Sequence, residues 1–365
     1  MSERNAERRA FLDSAGWRDA QIVPLPGDAS TRSYARIRKG ERRAMLMDQP
    51  QTAESPVAPA TATPEERRAL GYNAVARLAG ADTARFVAVS NYLRGLGLSA
   101  PEILAADSER GFVLIEDLGD DLYAEVLEAG RAGERELYEA AAEVLAALHA
   151  DEAPPLLHPD KPLHAYDETA LIAETDLMTE WFLPLALKRA ATADETAQHR
   201  ALWRETLGEV DAAAPVFVHR DYHAQNLIWL PDRRGAARVG LIDFQDAVAG
   251  ARSYDLISLI EDARRDVAPA IGEAATRRYL GITGRDEEAF RGEMAVMAAQ
   301  RNAKIAGIFA RLSKRDAKPR YLAYLPRVWG YLQRDLEHPR LARLKSWYDR
   351  TLPREVRGAV EGAQG

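Results

Sequence analysis

A short polar run, His219-Arg-Asp-Tyr-His-Ala-Gln-Asn226, constrains this chain more than any other segment, because apolar runs enclose it on both sides. Val216-Phe-Val before it, Leu227-Ile-Trp-Leu after it and Val239-Gly-Leu-Ile further on have the length and composition of short buried strands. Asp221 and Asn226 then share one loop, and Asp243, 17 residues beyond Asn226, sits at the next strand end. Three oxygen-bearing side chains are thereby carried to one point.

Those residue types suit one chemistry. An Asp carboxylate and an Asn carbonyl are hard oxygen donors of the kind Mg²⁺ takes. A separate carboxylate can receive the proton of an attacking hydroxyl. The spacing H-R-D-x-x-x-x-N followed by an Asp-Phe pair belongs to phosphoryl transfer from ATP, whose negative charges require a bridging metal. Asp221 is the candidate base, Asn226 and Asp243 are the candidate metal ligands, and ATP and Mg²⁺ are the expected cofactors.

Around this loop the pattern divides. An amphipathic helix is expected over 3–15 and strands over 21–25, 33–38, 43–47, 103–106 and 112–116. Four prolines between 49 and 64 mark an exposed loop, and helices are expected over 65–78 and 84–96, the second with Phe86, Val89, Leu93 and Leu96 on one stripe. From Leu122 onward helical periodicity dominates outside 215–244. The expected fold class is α+β, with a small antiparallel-sheet lobe over 1–118 and a larger, mostly helical lobe over 119–365. Gly95-Leu-Gly97 follows a helix rather than a strand, so it marks a helix stop and not a dinucleotide site.

Composition removes several alternatives. With no cysteine, disulfides, thiolate catalysis and cysteine-ligated zinc are excluded. A net charge of −7 argues against nucleic acid as a partner. No run of about 18 apolar residues appears and no apolar run follows the N-terminal charges, so a cytoplasmic protein without a membrane partner is expected.

Val218-His-Arg-Asp-Tyr-His-Ala-Gln-Asn-Leu, Leu241-Ile-Asp-Phe-Gln-Asp-Ala and Ser253-Tyr-Asp-Leu together resemble the aminoglycoside phosphotransferase family, which has a protein-kinase-like fold. Gly27-Asp-Ala-Ser, Gly111-Phe-Val-Leu-Ile-Glu-Asp-Leu-Gly and Lys304-Ile-Ala-Gly-Ile-Phe-Ala-Arg-Leu extend the likeness toward bacterial anomeric kinases of N-acetylmuramate and N-acetylglucosamine. The resemblance implies a small-molecule amino sugar as acceptor, a 1-phosphate product and a role in cell-wall recycling. It implies that Asp255 braces the catalytic loop, that the Glu116 carbonyl and the Leu118 amide hold adenine, and that Ser30, Thr31 and neighbouring amides cover the phosphates. Kinases of aminoglycosides, choline or homoserine, and a non-catalytic nucleotide-binding regulator, are the competing readings. A protein kinase fits poorly, since Gln245 replaces the Gly of Asp-Phe-Gly and no Ala-Pro-Glu follows.

One departure from the family pattern stands out. The third strand carries methionine where related kinases have lysine, and 84–96 contains no glutamate to pair with it. Arg32 or Arg43 is expected to supply the missing charge. On a helix expected over 293–312 Arg301 shares its angular position with Met297 and Ile305, and Asn302 lies beside it. Arg301, Asn302, Asp246 and Asp262 are the candidate sugar-binding residues, with Arg301 the candidate partner for a muramate carboxylate. Asp255, Ser258, Asp262 and Asp266 are expected on one face of a helix over 254–266.

Overall fold

The structure, a computed structural model, describes residues 3–26, 31–51, 56–158, 161–208, 210 and 214–352. In chain order its strands are β1 (Gln21–Pro24), β2 (Ser33–Lys39), β3 (Arg42–Asp48), β4 (Ile103–Asp107), β5 (Phe112–Ile115), β6 (Leu156–His158), β7 (Lys161–Pro162), β8 (Val216–Val218), β9 (Leu227–Trp229), β10 (Val239–Leu241) and β11 (Val248–Gly250). The helices are α1 (Glu3–Ser14), α2 (Pro64–Leu70), α3 (Tyr72–Val75), α4 (Thr83–Gly95), α5 (Tyr123–Glu128), α6 (Glu134–Leu148), α7 (Glu168–Leu177), α8 (Leu183–Leu187), α9 (Ala193–Leu207), α10 (Tyr254–Ile260), α11 (Pro269–Thr283), α12 (Glu287–Lys314), α13 (Leu325–Asp335) and α14 (Ala342–Thr351). Two compact units result, one of 1–148, 154–164 and 224–247, the other of 149–153, 165–223 and 248–365. The fold is α+β: an N-terminal antiparallel sheet in the first unit, and mostly helix in the second. Among the described residues no helix is long and apolar enough to cross a membrane.

The first unit is built on a five-stranded sheet of order β1-β2-β3-β5-β4, antiparallel throughout. Side chains alternate between its faces. Ala35, Ile37, Ala44, Leu46, Phe112 and Leu114 form one buried face with Phe11, Leu12 and Trp17 from α1 and the turn after it. Arg4 and Arg8, one helical turn apart on α1, grip Asp48 at the end of β3 at 2.5 and 2.6 Å. The opposite face carries the row Arg36–Met45–Ile115, aligned by register across β2, β3 and β5. β9 and β10 pair antiparallel with Leu227 opposite Leu241, which sets the residue before one strand beside the residues after the other.

The second unit is organised around the 28-residue α12, which α7, α10 and α13 surround. Its core joins Met297, Ala303, Ala306 and Phe309 of α12 to Trp203, Trp329 and Trp347 from α9, α13 and α14. Gly307 permits the closest approach: a Cβ there would lie 2.5 Å from the Leu177 backbone at the end of α7. β8 and β11 pair with Val218 opposite Val248.

The structure corrects several expectations. The helix expected over 65–78 is two, because Gly71 takes φ +102°, while a capping box between Thr63 and Glu66 starts the first. Leu96 lies past the end of α4 and is 42% exposed, unlike the buried Phe86, Val89 and Leu93. Gln49, expected in an exposed loop, is buried and donates to Thr31 at 3.0 Å. α10 stops at Ile260, so Asp266 leaves the expected helix face and pairs with Arg327 at the surface.

Candidate active site

In the first unit a cavity of about 330 Å³ opens on the sheet face opposite α1. Met45, Ile115, Ile228 and Ile242 give it apolar walls, and residues 116–119 form one edge. The Glu116 side chain turns to Arg233 at 2.6 Å, so only its main chain is available to a ligand. Among the described residues neither the Glu116 carbonyl nor the Leu118 amide is hydrogen-bonded. Such a pair, one acceptor and one donor on an apolar slot, suits a planar heteroaromatic ring. Arg36 is fixed at the rim by Asp117 at 2.7 Å and Asp120 at 2.6 Å.

Asn226 and Asp243 meet at the inner end of this cavity. β9 starts just after Asn226 and β10 ends just before Ile242, whose amide donates to the Asn226 carbonyl at 3.2 Å. That pairing sets Asn226 Nδ2 3.5 Å from Asp243 Oδ2. Asp243 takes φ +61°, a left-handed conformation that is costly for a side chain with a Cβ and that recurs at functional positions. Its other oxygen accepts from Gln245 at 3.1 Å and from Arg32 at 3.2 Å. Its side chain is 40% exposed, so ligand access remains. A side-chain amide, whose Oδ1 is the atom a metal would take, beside a carboxylate is a donor set that fits Mg²⁺, which commonly uses one or two protein ligands with phosphate and water completing the shell. Met45 does line the cavity where a lysine is expected, and Arg32 reaches Asp243, whereas Arg43 is exposed and outside the lining. Thr31 is bonded to Gln49, and Ser30 lies outside the described residues.

In the second unit the loop after β8 is held from below by Asp255 at the start of α10. Its two oxygens accept the His219 and Arg220 amides at 2.6 and 2.8 Å. Asp255 is fully buried; burial pushes its carboxyl up to about 7, against the pull of those two amides. The brace implied by the resemblance is therefore present. Arg220 takes φ +81°, and its guanidinium runs into the core to meet Glu174. Glu174 also accepts from Tyr166, from Gln300 at 3.1 Å and from Lys304 at 2.9 Å. Burial alone would raise the Glu174 carboxyl, but Lys304 and Arg220 overcome it and hold it down at about 2.

Asp221 itself lines a second cavity, of about 190 Å³, with His223, Asp262, Arg264, Arg301 and Lys304. Asp262 is buried, accepts the Arg264 amide at 2.8 Å through Oδ1, and has no partner for Oδ2 among the described residues. Arg301 donates to the Glu261 carbonyl at 3.1 Å and the Ser258 hydroxyl at 2.9 Å. Burial pushes the His223 imidazole down to about 3, so it is neutral at physiological pH. The structure thus gathers Asp221, Asp262 and Arg301. It does not bring in Asn302, whose amide bridges Glu261 and Asp335 at 2.7 and 2.8 Å. Nor does Asp246 line either cavity; it accepts the Ala79 amide at 2.6 Å. Sequence reasoning missed the Glu174 network and Arg264. The one signal for the first was an acid at position 174, in the middle of a largely apolar stretch.

An antiparallel sheet above an apolar slot, an Asn–Asp pair at that slot and a braced His-Arg-Asp loop are the parts of a phosphotransferase of protein-kinase-like fold. Residues 21–293 match the phosphotransferase enzyme family, and the chain belongs to it. It is 46% identical to the N-acetylmuramate/N-acetylglucosamine kinase of Caulobacter vibrioides, over 98% of this chain and 99% of that one. It is 33% identical to the protein of the same name from Pseudomonas aeruginosa, over 90% of this chain and 89% of the relative. Among solved structures it resembles an ADP-bound aminoglycoside phosphotransferase at 15% identity, with a TM-score of 0.54 over 91% of this chain and 97% of the other.

Proposed function

We propose that this chain is an ATP- and Mg²⁺-dependent kinase that phosphorylates the anomeric hydroxyl of N-acetylmuramate, N-acetylglucosamine or both. The observation that carries the reading is the 46% identity, across nearly the full length of both chains, to a relative of that name. The nucleotide is assigned to the first unit, where residues 1–118 supply the sheet and the hinge, with adenine on the main chain of Glu116 and Leu118. Asn226 and Asp243 would hold Mg²⁺, which neutralises phosphate charge as it shifts toward the leaving diphosphate. Asp221 accepts the hydroxyl proton while the sugar oxygen attacks the γ-phosphorus in line and ADP departs. Asp262 is assigned to the sugar hydroxyls, and Arg301, held by Ser258 and the Glu261 carbonyl, to the wall of the cavity they share. A sugar 1-phosphate can enter nucleotidyl transfer directly, which suits recycling of cell-wall sugars in the cytoplasm.

The anomeric assignment is tested with two analogues. A 6-deoxy sugar should remain a substrate, since the oxygen it lacks takes no part. The 1-O-methyl glycoside should not, because its anomeric oxygen has no proton for Asp221. Efficient phosphorylation of the glycoside would remove the anomeric assignment and leave the kinase.

Arg32 is assigned the role of the absent lysine. Arg32→Ala should raise KM for ATP about tenfold, the worth of one charge-assisted hydrogen bond, with the sugar KM nearly unchanged. An unchanged KM for ATP, measured by ADP release, would count against Arg32 as the substitute.

A further inference from the structure

We propose that Arg264 distinguishes an acidic amino sugar from its neutral counterpart by pairing its guanidinium with the sugar carboxylate. The inference rests on the sugar-kinase reading above and concerns the same cavity. N-acetylmuramate differs from N-acetylglucosamine by a lactyl ether that ends in a carboxylate, so one cation in the right place suffices to separate them.

Four cationic side chains line the cavity beside Asp221: Arg220, Arg264, Arg301 and Lys304. Three are anchored to other groups of the protein. Arg220 and Lys304 both serve Glu174. Arg301 serves the Glu261 carbonyl and Ser258, so the residue singled out by the helix stripe is built into the wall. Arg264 differs. Among the described residues its guanidinium makes one hydrogen bond, from Nη1 to His223 Nε2 at 3.2 Å, and no ion pair. The imidazole accepts that bond as a neutral ring, so it supplies no counter-charge. Asp262, two residues away, takes the Arg264 main-chain amide and not its guanidinium. A half-buried guanidinium with most of its donors unused, on the wall of a cavity, presents a planar fork that matches a carboxylate. The single bond to His223 holds the fork in place without occupying it.

The test uses the full chain and its Arg264→Met and Arg264→Lys variants, with ADP release measured at saturating ATP for each sugar separately. Arg264→Met should raise KM for N-acetylmuramate roughly tenfold to a hundredfold. The change for N-acetylglucosamine should stay below about threefold, so the neutral sugar also reports that the variant is folded. Arg264→Lys should recover part of the loss, since it keeps the charge and gives up the fork. Raising ionic strength should weaken the acidic sugar in the parent and not in Arg264→Met. Equal losses with both sugars, or none with either, would overturn the assignment. A parent chain that phosphorylates neither sugar would overturn the sugar-kinase reading itself, and this inference with it.

Discussion

Asp221→Asn is expected to lower kcat by about 10²–10⁴-fold, the usual contribution of a general base, while leaving nucleotide affinity nearly unchanged. The two effects separate because of where the residues lie. Every residue lining the apolar slot belongs to the first unit, and Asp221 belongs to the second. Asparagine has the size of aspartate, so the loop braced by Asp255 need not move. It still orients a hydroxyl, but it cannot take the proton, and it removes a negative charge from the surroundings of Lys304. Because phosphoryl transfer passes through a loose transition state, part of the loss is misalignment of the hydroxyl rather than lost proton transfer. Turnover by coupled ADP detection and nucleotide binding by calorimetry check both halves. A variant with more than about a tenth of the parent kcat would mean that Asp221 is not the base.

The loop, the strands on either side of it and the approach of Asn226 to Asp243 were legible in the sequence because each rests on local pattern. Val216-Phe-Val, Leu227-Ile-Trp and Val239-Gly-Leu are strands where apolar runs placed them, and the pairing of the last two brings Asn226 to Asp243. The helix end at Ile260 was hidden because 261–266 keep a spacing of acids that a helix would also produce. The stripe on α12 gave the angular position of Arg301 correctly. It could not show that Ser258 and the Glu261 carbonyl already take its donors, since both come from another element. Arg264 was invisible for the opposite reason: it lies in a turn with no periodicity, and its importance is that so few groups bind it. Glu174 meets Arg220 and Lys304 across 46 and 130 positions, and no periodicity along a chain records such a meeting.

That buried meeting makes Glu174 the site of the largest expected loss of stability. Glu174 and Arg220 are essentially inaccessible to water, and Lys304 nearly so. Glu174→Gln keeps the shape and some hydrogen bonds but strands two cations in the core. Removing one member of a buried ion pair typically costs about 3–5 kcal/mol, because the remaining charge is left uncompensated. Urea denaturation should show that loss, and the Lys304→Met background should reduce it, since only Arg220 is then stranded. The expected coupling between the two substitutions is about 1–3 kcal/mol. Activity should fall as well, below the unfolding transition. Arg220 immediately precedes Asp221 and holds a strained φ that its anchorage to Glu174 helps to fix. Without that anchor the loop can relax, which misplaces the carboxylate and lowers kcat more than it raises either KM. Additive stability effects with unchanged kcat in the folded single variant would show that the network supports the core alone and leaves the catalytic loop to Asp255.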